Sequence, residues 1–233
     1  MLRRLFHDFT GVLFPRCCPI CNKTLVEGED LLCIECHWKI PRTYSHLDPN
    51  SKLLQKLISL RAPVKRAAAY YFYHKGNAYS KLIQDAKYNG RPEINRSMAR
   101  YFAQELKLDG FFDGIDCIIP LPIHWWKQLR RGYNQSEYIA LGLSDVSNIP
   151  IRYNLRAAKA HKTQTRKTGK ERRKLVNNIF VVDGPDELVG KHVLLVDDVI
   201  TTGTTILIAA EALHAAIPRL RLSLLSLAST ELS

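Results

Sequence analysis

No apolar run in this chain approaches the ~20 residues that a bilayer-spanning helix needs, which excludes a transmembrane helix as its organising element. Residues 1–14 are apolar with two arginines. His7 and Asp8 interrupt them and no small-residue cleavage site follows, so the segment reads as a short amphipathic helix packing on the protein rather than a secretory signal. Nowhere does a glycine-rich stretch end in the Gly-Lys-Ser/Thr of a nucleoside-triphosphate P-loop, which excludes that phosphate site. Internal repeats are absent apart from two CxxC steps, which excludes a solenoid. Acid is scarce: 22 Asp and Glu stand against 34 Lys and Arg, a formal charge of +12. A surface so short of carboxylates draws polyanions, whether phosphates, nucleic acid or both.

What is present suits a soluble globular protein. At 233 residues, with 46% hydrophobic and 24% charged, the chain can build one sizeable core and a small accessory module. Four of its six cysteines form two CxxC steps, Cys18-Cys21 and Cys33-Cys36, separated by eleven residues. A tetrahedral thiolate site needs two such steps and isolated disulfides do not, so the pattern predicts a structural zinc ribbon, with a redox or disulfide framework as the alternative. Four thiolates and one divalent cation would take +12 to about +10. Cys17 precedes the first ligand but breaks the two-residue gap, and Cys117 lies in an apolar strand. Residues 1–45 lack the apolar content to fold alone, so the metal is expected to supply their folding energy.

The chain is organised around Val193 to Thr205. Val193 to Val196 read as a strand buried on both faces. Asp197 and Asp198 follow, then Thr201, Thr202, Gly203, Thr204 and Thr205, then a helical period of Ile206, Ala210, Leu213 and Ile217. A hydroxyl-rich turn at the positive end of a helix is an anion site, and glycine lets the backbone approach a phosphate closely. The acidic pair repels phosphate and suits sugar hydroxyls or a metal ion. A ligand with a 5′-phosphate, vicinal ribose hydroxyls and a metal-binding pyrophosphate satisfies both halves: phosphoribosyl pyrophosphate, PRPP. The stretch resembles the PRPP-binding signature of type I phosphoribosyltransferases.

Elsewhere helices are expected over 48–63, after Asn77, after Pro92 (with Ile94, Met98, Phe102 and Leu106 on one face) and after Asn134. Strands are expected at 67–73, 116–119, 149–153, 178–182 and 219–228. From Asp116 onward strands alternate with helices or long loops, which predicts an α/β fold with a doubly wound, mainly parallel sheet. Ligands of such sheets sit at strand carboxyl ends. Residues 124–133 read as a basic loop with Lys127, Arg130 and Arg131. Residues 155–174 hold nine Lys or Arg and one acid, Glu171.

Together the motifs resemble the ComF family. They comprise the paired CxxC steps, Lys87 to Arg91, Ile119 to His124, Arg131 to Gln135, Thr163-Gln164, Arg172, Asn177 and the PRPP signature. The resemblance implies a cytoplasmic protein with a zinc ribbon (1–45) and a phosphoribosyltransferase-type domain (46–233, its hood at 46–90). It also implies work on incoming single-stranded DNA, with competence helicase or DNA-processing partners. In such a site Thr201 to Thr205 would hold the 5′-phosphate, and Asp197 and Asp198 the ribose hydroxyls. Lys127, Arg130 and Arg131, with Mg²⁺, would neutralise the leaving pyrophosphate. The 155–174 segment is expected either as a flap over that site or as a plain linker. His124 and His161 are candidates for proton transfer or simple surface residues. Trp125, Trp126 and Tyr133, interleaved with cations, together with Lys162, Arg166 and Lys167, are candidate single-stranded DNA contacts. Three readings stay open: an active transferase of nucleobase or nucleotide metabolism with no DNA role, a PRPP-binding protein that handles DNA, and a DNA-binding protein with a vestigial pocket.

Overall fold

The computed structural model describes residues 15–59, 64–158 and 179–230. The N-terminal helix expected over 1–14 lies outside them, as do His161, Lys162, Arg166, Lys167 and most of the 155–174 segment.

In chain order the elements are α1 (Ile34–Trp38), α2 (Lys52–Ser59), β1 (Ala67–Phe72), α3 (Ala78–Tyr88) and α4 (Glu93–Leu108). Then come β2 (Cys117–Pro120), α5 (Trp125–Arg131), α6 (Gln135–Ser147), β3 (Leu155–Ala157) and β4 (Phe180–Val182). A 3₁₀ turn (Pro185–Leu188), β5 (His192–Ile200), α7 (Thr204–Ala216) and β6 (Arg221–Ser229) complete the described chain. Four strands make a parallel sheet in the order β1-β6-β5-β2. The strand expected at 149–153 reduces to one parallel bridge, Ile118 to Ile151. The start of the expected basic loop, Leu155 to Ala157, is instead a strand, paired antiparallel with β4.

Strand periodicity splits the apolar residues between two cores. Leu194 and Val196 face one side with Leu225 and Leu227, under α3, α4 and α6. Val193 and Leu195 face the other with Leu222 and Leu224, under α2 and α7. A parallel strand covered on both faces has no polar side, which is why β5 reads as a continuous apolar run. The expected stripe on α4 is buried at Ile94, Met98, Phe102 and Leu106. Asn77 and Asn134 cap α3 and α6 by accepting the backbone N–H two residues on. At Gly142 the helices α6 and α4 meet so closely that a Cβ would run into the Arg96 carbonyl and lie 2.8 Å from the Ala99 methyl.

The four-cysteine module is not a separate body. Cys18, Leu25, Leu32, Cys33, Cys36 and Ile40 share one buried cluster with Tyr79, Met98 and Phe102. The Tyr79 hydroxyl donates to the Cys36 carbonyl at 2.7 Å, and the Tyr101 hydroxyl accepts the Leu31 N–H at 2.9 Å. Arg42 pairs with Glu105 at 2.8 Å across the same seam. Part of the stretch expected as a hood, 46–90, is the edge strand β1 of the main sheet.

Candidate functional site: an acid pair beside a phosphate-type turn

β5 runs on through the acidic pair to Ile200, pairing with β6 at Asp197–Ser226 and Ile200–Ser229. The carboxylates therefore project from the strand itself, which runs past the Val193–Val196 stretch that the sequence pattern marked. Beyond them Gly203 takes φ 79°, a left-handed conformation that suits glycine, and starts α7. Thr201, Thr202, Thr204 and Thr205 are exposed around it, with the Thr202 and Thr204 hydroxyls 2.9 Å apart. Backbone and hydroxyl groups thus gather at the positive end of a 13-residue helix, the arrangement that binds a phosphate.

Asp197 Oδ1 accepts the Asp198 N–H at 2.8 Å and the Ser136 hydroxyl at 3.3 Å. Burial first, and then the neighbouring Asp198 charge, push its carboxyl up to about 7, against the pull of that N–H, of Lys87 and of Ser136. Asp198 Oδ2 lies 2.7 Å from Lys87 Nζ. Lys87 was not expected in the site. Its signal in the sequence was only the Lys87 to Arg91 segment, which gives no hint that the last turn of α3 folds over the end of β5. The neighbouring Tyr88 ring lies under the Arg131 guanidinium, 5.1 Å from ring centre to carbon, and its hydroxyl accepts from Arg131 at 3.4 Å. Arg131 also reaches Gln135 Oε1 at 3.1 Å. One helix turn therefore links the acid pair of β5 to the cations that follow β2.

Those cations do not sit on a loop. Residues 125–131 form α5, started by His124, whose Nδ1 accepts the Trp126 N–H at 3.4 Å, and ended by Gly132 at φ 81°. That contact gives His124 a capping role. Lys127 stands on this helix, Arg130 is exposed on it, and Arg131 is half-buried. Trp125 and Trp126 stack on each other at 4.3 Å and remain 47% and 61% exposed, so they are surface rings and not core. Tyr133 is half-buried and meets Tyr138 edge-on at 6.0 Å, which takes up part of its ring.

The second centre is the cysteine cluster. The sulfurs of Cys18, Cys21, Cys33 and Cys36 all lie within 4.8 Å of one another, and Cys21 and Cys33 are 3.5 Å apart. A tetrahedral ion with ~2.3 Å metal–sulfur bonds needs sulfurs ~3.8 Å apart, so the four fit one zinc. Two tight turns present them. In the first, Cys18 N–H donates to Lys23, and Asn22 takes φ 61°. In the second, His37 N–H donates to the Cys33 carbonyl. Burial pushes the Cys18 thiol up, but backbone N–H groups of Cys33, Cys21 and Ile20 bring it down to about 7. Burial pushes Cys36 far up, helped by the sulfurs of Cys21 and Cys33. Such a set shares protons poorly and would be relieved by a cation. Cys17 is exposed and outside the set, and Cys117 is buried in the apolar strand β2.

The family described as the phosphoribosyl transferase domain matches residues 136–227. A DNA utilization protein YhgH of Escherichia coli O6:H1 is 30% identical over 202 residues, 84% of this chain and 83% of that protein. Competence protein F of Haemophilus influenzae is 36% identical over 138 residues, 54% of this chain and 58% of its own length. Among solved structures, adenine phosphoribosyltransferase from Saccharomyces cerevisiae aligns with a TM-score of 0.40 and 13% identity over 76% of this chain and 89% of that one. Sheet, acid pair and turn define a type I phosphoribosyltransferase domain, to which a four-cysteine module is fused. More narrowly, the chain belongs to the ComF family, with YhgH and competence protein F as relatives.

Proposed function

We propose that this protein binds PRPP with Mg²⁺ at the β5–α7 turn and works in the handling of single-stranded DNA, which it contacts through α5. The observation that carries the first half is the sequence of groups along one strand end. Asp197 and Asp198 are held on β5 by Ser136 and Lys87, and a glycine turn with four exposed threonines follows at a helix N-terminus. Ribose hydroxyls suit the carboxylates and the 5′-phosphate suits the turn. The pyrophosphate and its Mg²⁺ would lie toward Arg130 and Arg131 on the β2 side. The cysteine module would hold zinc. Calorimetric titration with PRPP and Mg²⁺ tests the reading, with saturable one-site binding expected. Absence of binding would sink it. Pyrophosphate release in the presence of candidate bases then separates a transferase from a protein that only binds.

The second half rests on the stacked, exposed Trp125–Trp126 pair beside exposed Arg130. The names of the two relatives point the same way. Bases stack on aromatic faces for ~1–3 kcal/mol each, and backbone cations make such binding strongly salt-dependent. In fluorescence anisotropy with a short labelled oligonucleotide, Trp126→Ala is expected to weaken binding by roughly tenfold at every salt concentration. Arg130→Ala should instead flatten the salt slope by ~1. A protein that ignores the oligonucleotide even at low salt would leave a small-molecule transferase as the better account.

A further inference from the structure

Each carboxylate of the acid pair has two oxygens, and the fold occupies one on each. Asp197 Oδ1 takes the Asp198 N–H and the Ser136 hydroxyl. Asp198 Oδ2 holds Lys87 Nζ at 2.7 Å. Among the described residues nothing donates to Asp197 Oδ2 or Asp198 Oδ1. One acceptor is left on each half-buried residue, as a vicinal diol requires. Lys87 is not a loose surface lysine. Its side chain is 21% exposed and that of Asp198 13%, so water and salt screen the contact little. It stands in the last turn of α3, where the carbonyls of a helix end favour a cation. Asn89 closes that turn, its N–H donating to the Asp85 carbonyl at 3.0 Å and its side-chain amide to Asp85 Oδ1 at 2.8 Å. Tyr88, next along, is pinned by Arg131. Among the described residues no other cation pairs with either carboxylate.

Two adjacent carboxylates at a strand end are otherwise a place for Mg²⁺, which proteins hold through one or two carboxylates while it keeps several waters. We propose that Lys87 is a resident counter-ion standing where such an ion would bind, so that the acid pair takes no divalent cation of its own. For the sugar, the inference rests on the PRPP reading of the β5–α7 turn. The exclusion of metal from the pair rests on the Lys87 contact alone. Charge decides between the two ions. The ammonium cancels half the charge of two ionised carboxylates, and a dication entering beside it meets a like charge at close range. Mg²⁺ arriving with PRPP is then held by the pyrophosphate and not by the pair. A ligand with the diol and the 5′-phosphate but no pyrophosphate needs no metal.

Calorimetry with ribose 5-phosphate tests this on the whole chain, first in buffer cleared of divalent ions over a chelating resin and then with Mg²⁺ restored. Clearing the buffer before the protein is added spares the cysteine module. The wild-type affinity should not change between the two buffers. Lys87→Gln should weaken it about tenfold without metal and regain it with Mg²⁺, whereas Lys87→Arg should follow the wild type. Electron paramagnetic resonance with Mn²⁺ alone questions the lysine without any sugar. Lys87→Gln should gain a Mn²⁺ site that the wild type lacks, and adding Asp198→Asn should abolish it. A wild type that needs Mg²⁺ to bind ribose 5-phosphate overturns the proposal while the phosphate site stands. So does a wild type that holds Mn²⁺ and loses it in Asp198→Asn, a result that needs no Lys87 variant to fold. If ribose 5-phosphate binds in neither buffer, the sugar-phosphate reading falls, and the Mn²⁺ comparison still decides for or against Lys87.

Discussion

Cys36→Ser is expected to release the metal and to lower the melting temperature of the whole chain by more than ~10 °C, a large shift for a domain of this size. Elemental analysis of the purified wild type should return one zinc per chain, and the variant none. Structural zinc contributes on the order of 10 kcal/mol to the folding of small modules, comparable with the full stability of a typical domain. Composition alone suggested that the metal supplies the folding energy of residues 1–45 and of nothing beyond them. The packing changes that expectation, because Cys18, Cys33 and Cys36 belong to the same buried cluster as Met98, Phe102 and Leu106. Losing the metal should therefore loosen α4 as well, and faster hydrogen exchange at its central amides would report this. A reduced, metal-free wild type that melts as the zinc-loaded one does would remove the idea.

The second large effect concerns the acid pair. Asp198→Asn should weaken PRPP binding by roughly 10- to 100-fold, since a charge-assisted partner is worth ~1.5–3 kcal/mol. Binding should also fall as the solution is acidified through about 7, where Asp197 takes up its proton. Lys87→Ala should move that fall to higher pH, because the lysine charge helps to hold Asp197 ionised, and Lys87→Arg should largely restore it. The stability of the ligand-free protein should show the reverse trend. A carboxyl raised from the usual 3.8 to about 7 binds a proton in the folded chain that the unfolded chain has lost, so stability falls as pH rises through that window. Titration calorimetry and urea melts between pH 5 and pH 8 measure both. A pH-independent affinity for PRPP in all three proteins would mean that the pair does not touch the ribose.

Much of this was legible in residues. The apolar run of β5, the acids after it and Gly203 announce themselves locally, because burial, charge and a left-handed turn each demand particular residue types. Paired CxxC steps carry their geometry in their spacing. What was not legible depends on long-range contact or on unusual caps. The Trp125 to Arg131 segment looked like a loop because no Ser, Thr, Asp or Asn precedes it. A histidine does the capping instead. Lys87 lies 111 positions before Asp198, and nothing in its own neighbourhood says that α3 ends over β5. Asn134 read as a helix cap, but nothing near it says that Asn134, Gln135 and Ser136 are buried where α6 meets the sheet, with Asn134 donating to the Leu121 carbonyl at 3.1 Å. The exposure of Trp125 and Trp126 likewise runs against the common fate of large rings.

The outer side of β1 carries a consequence of its own. An edge strand offers unpaired N–H and C=O groups to any other strand that drifts by. Here the chain leaving the cysteine module closes that edge. Phe72 N–H donates to Pro41 and the Tyr70 carbonyl accepts from Thr43 N–H. The Ser45 hydroxyl accepts the Ala69 N–H at 2.9 Å, and the Thr43 hydroxyl caps the Ala69 carbonyl. The seal is thus tethered to the four sulfurs only a few residues upstream. Chelation of the ion would then do more than soften a module. It would let the seal drift and turn β1 into a template for strand addition, so oxidised or metal-starved protein should be lost to insoluble assemblies sooner than its thermodynamic stability alone would suggest.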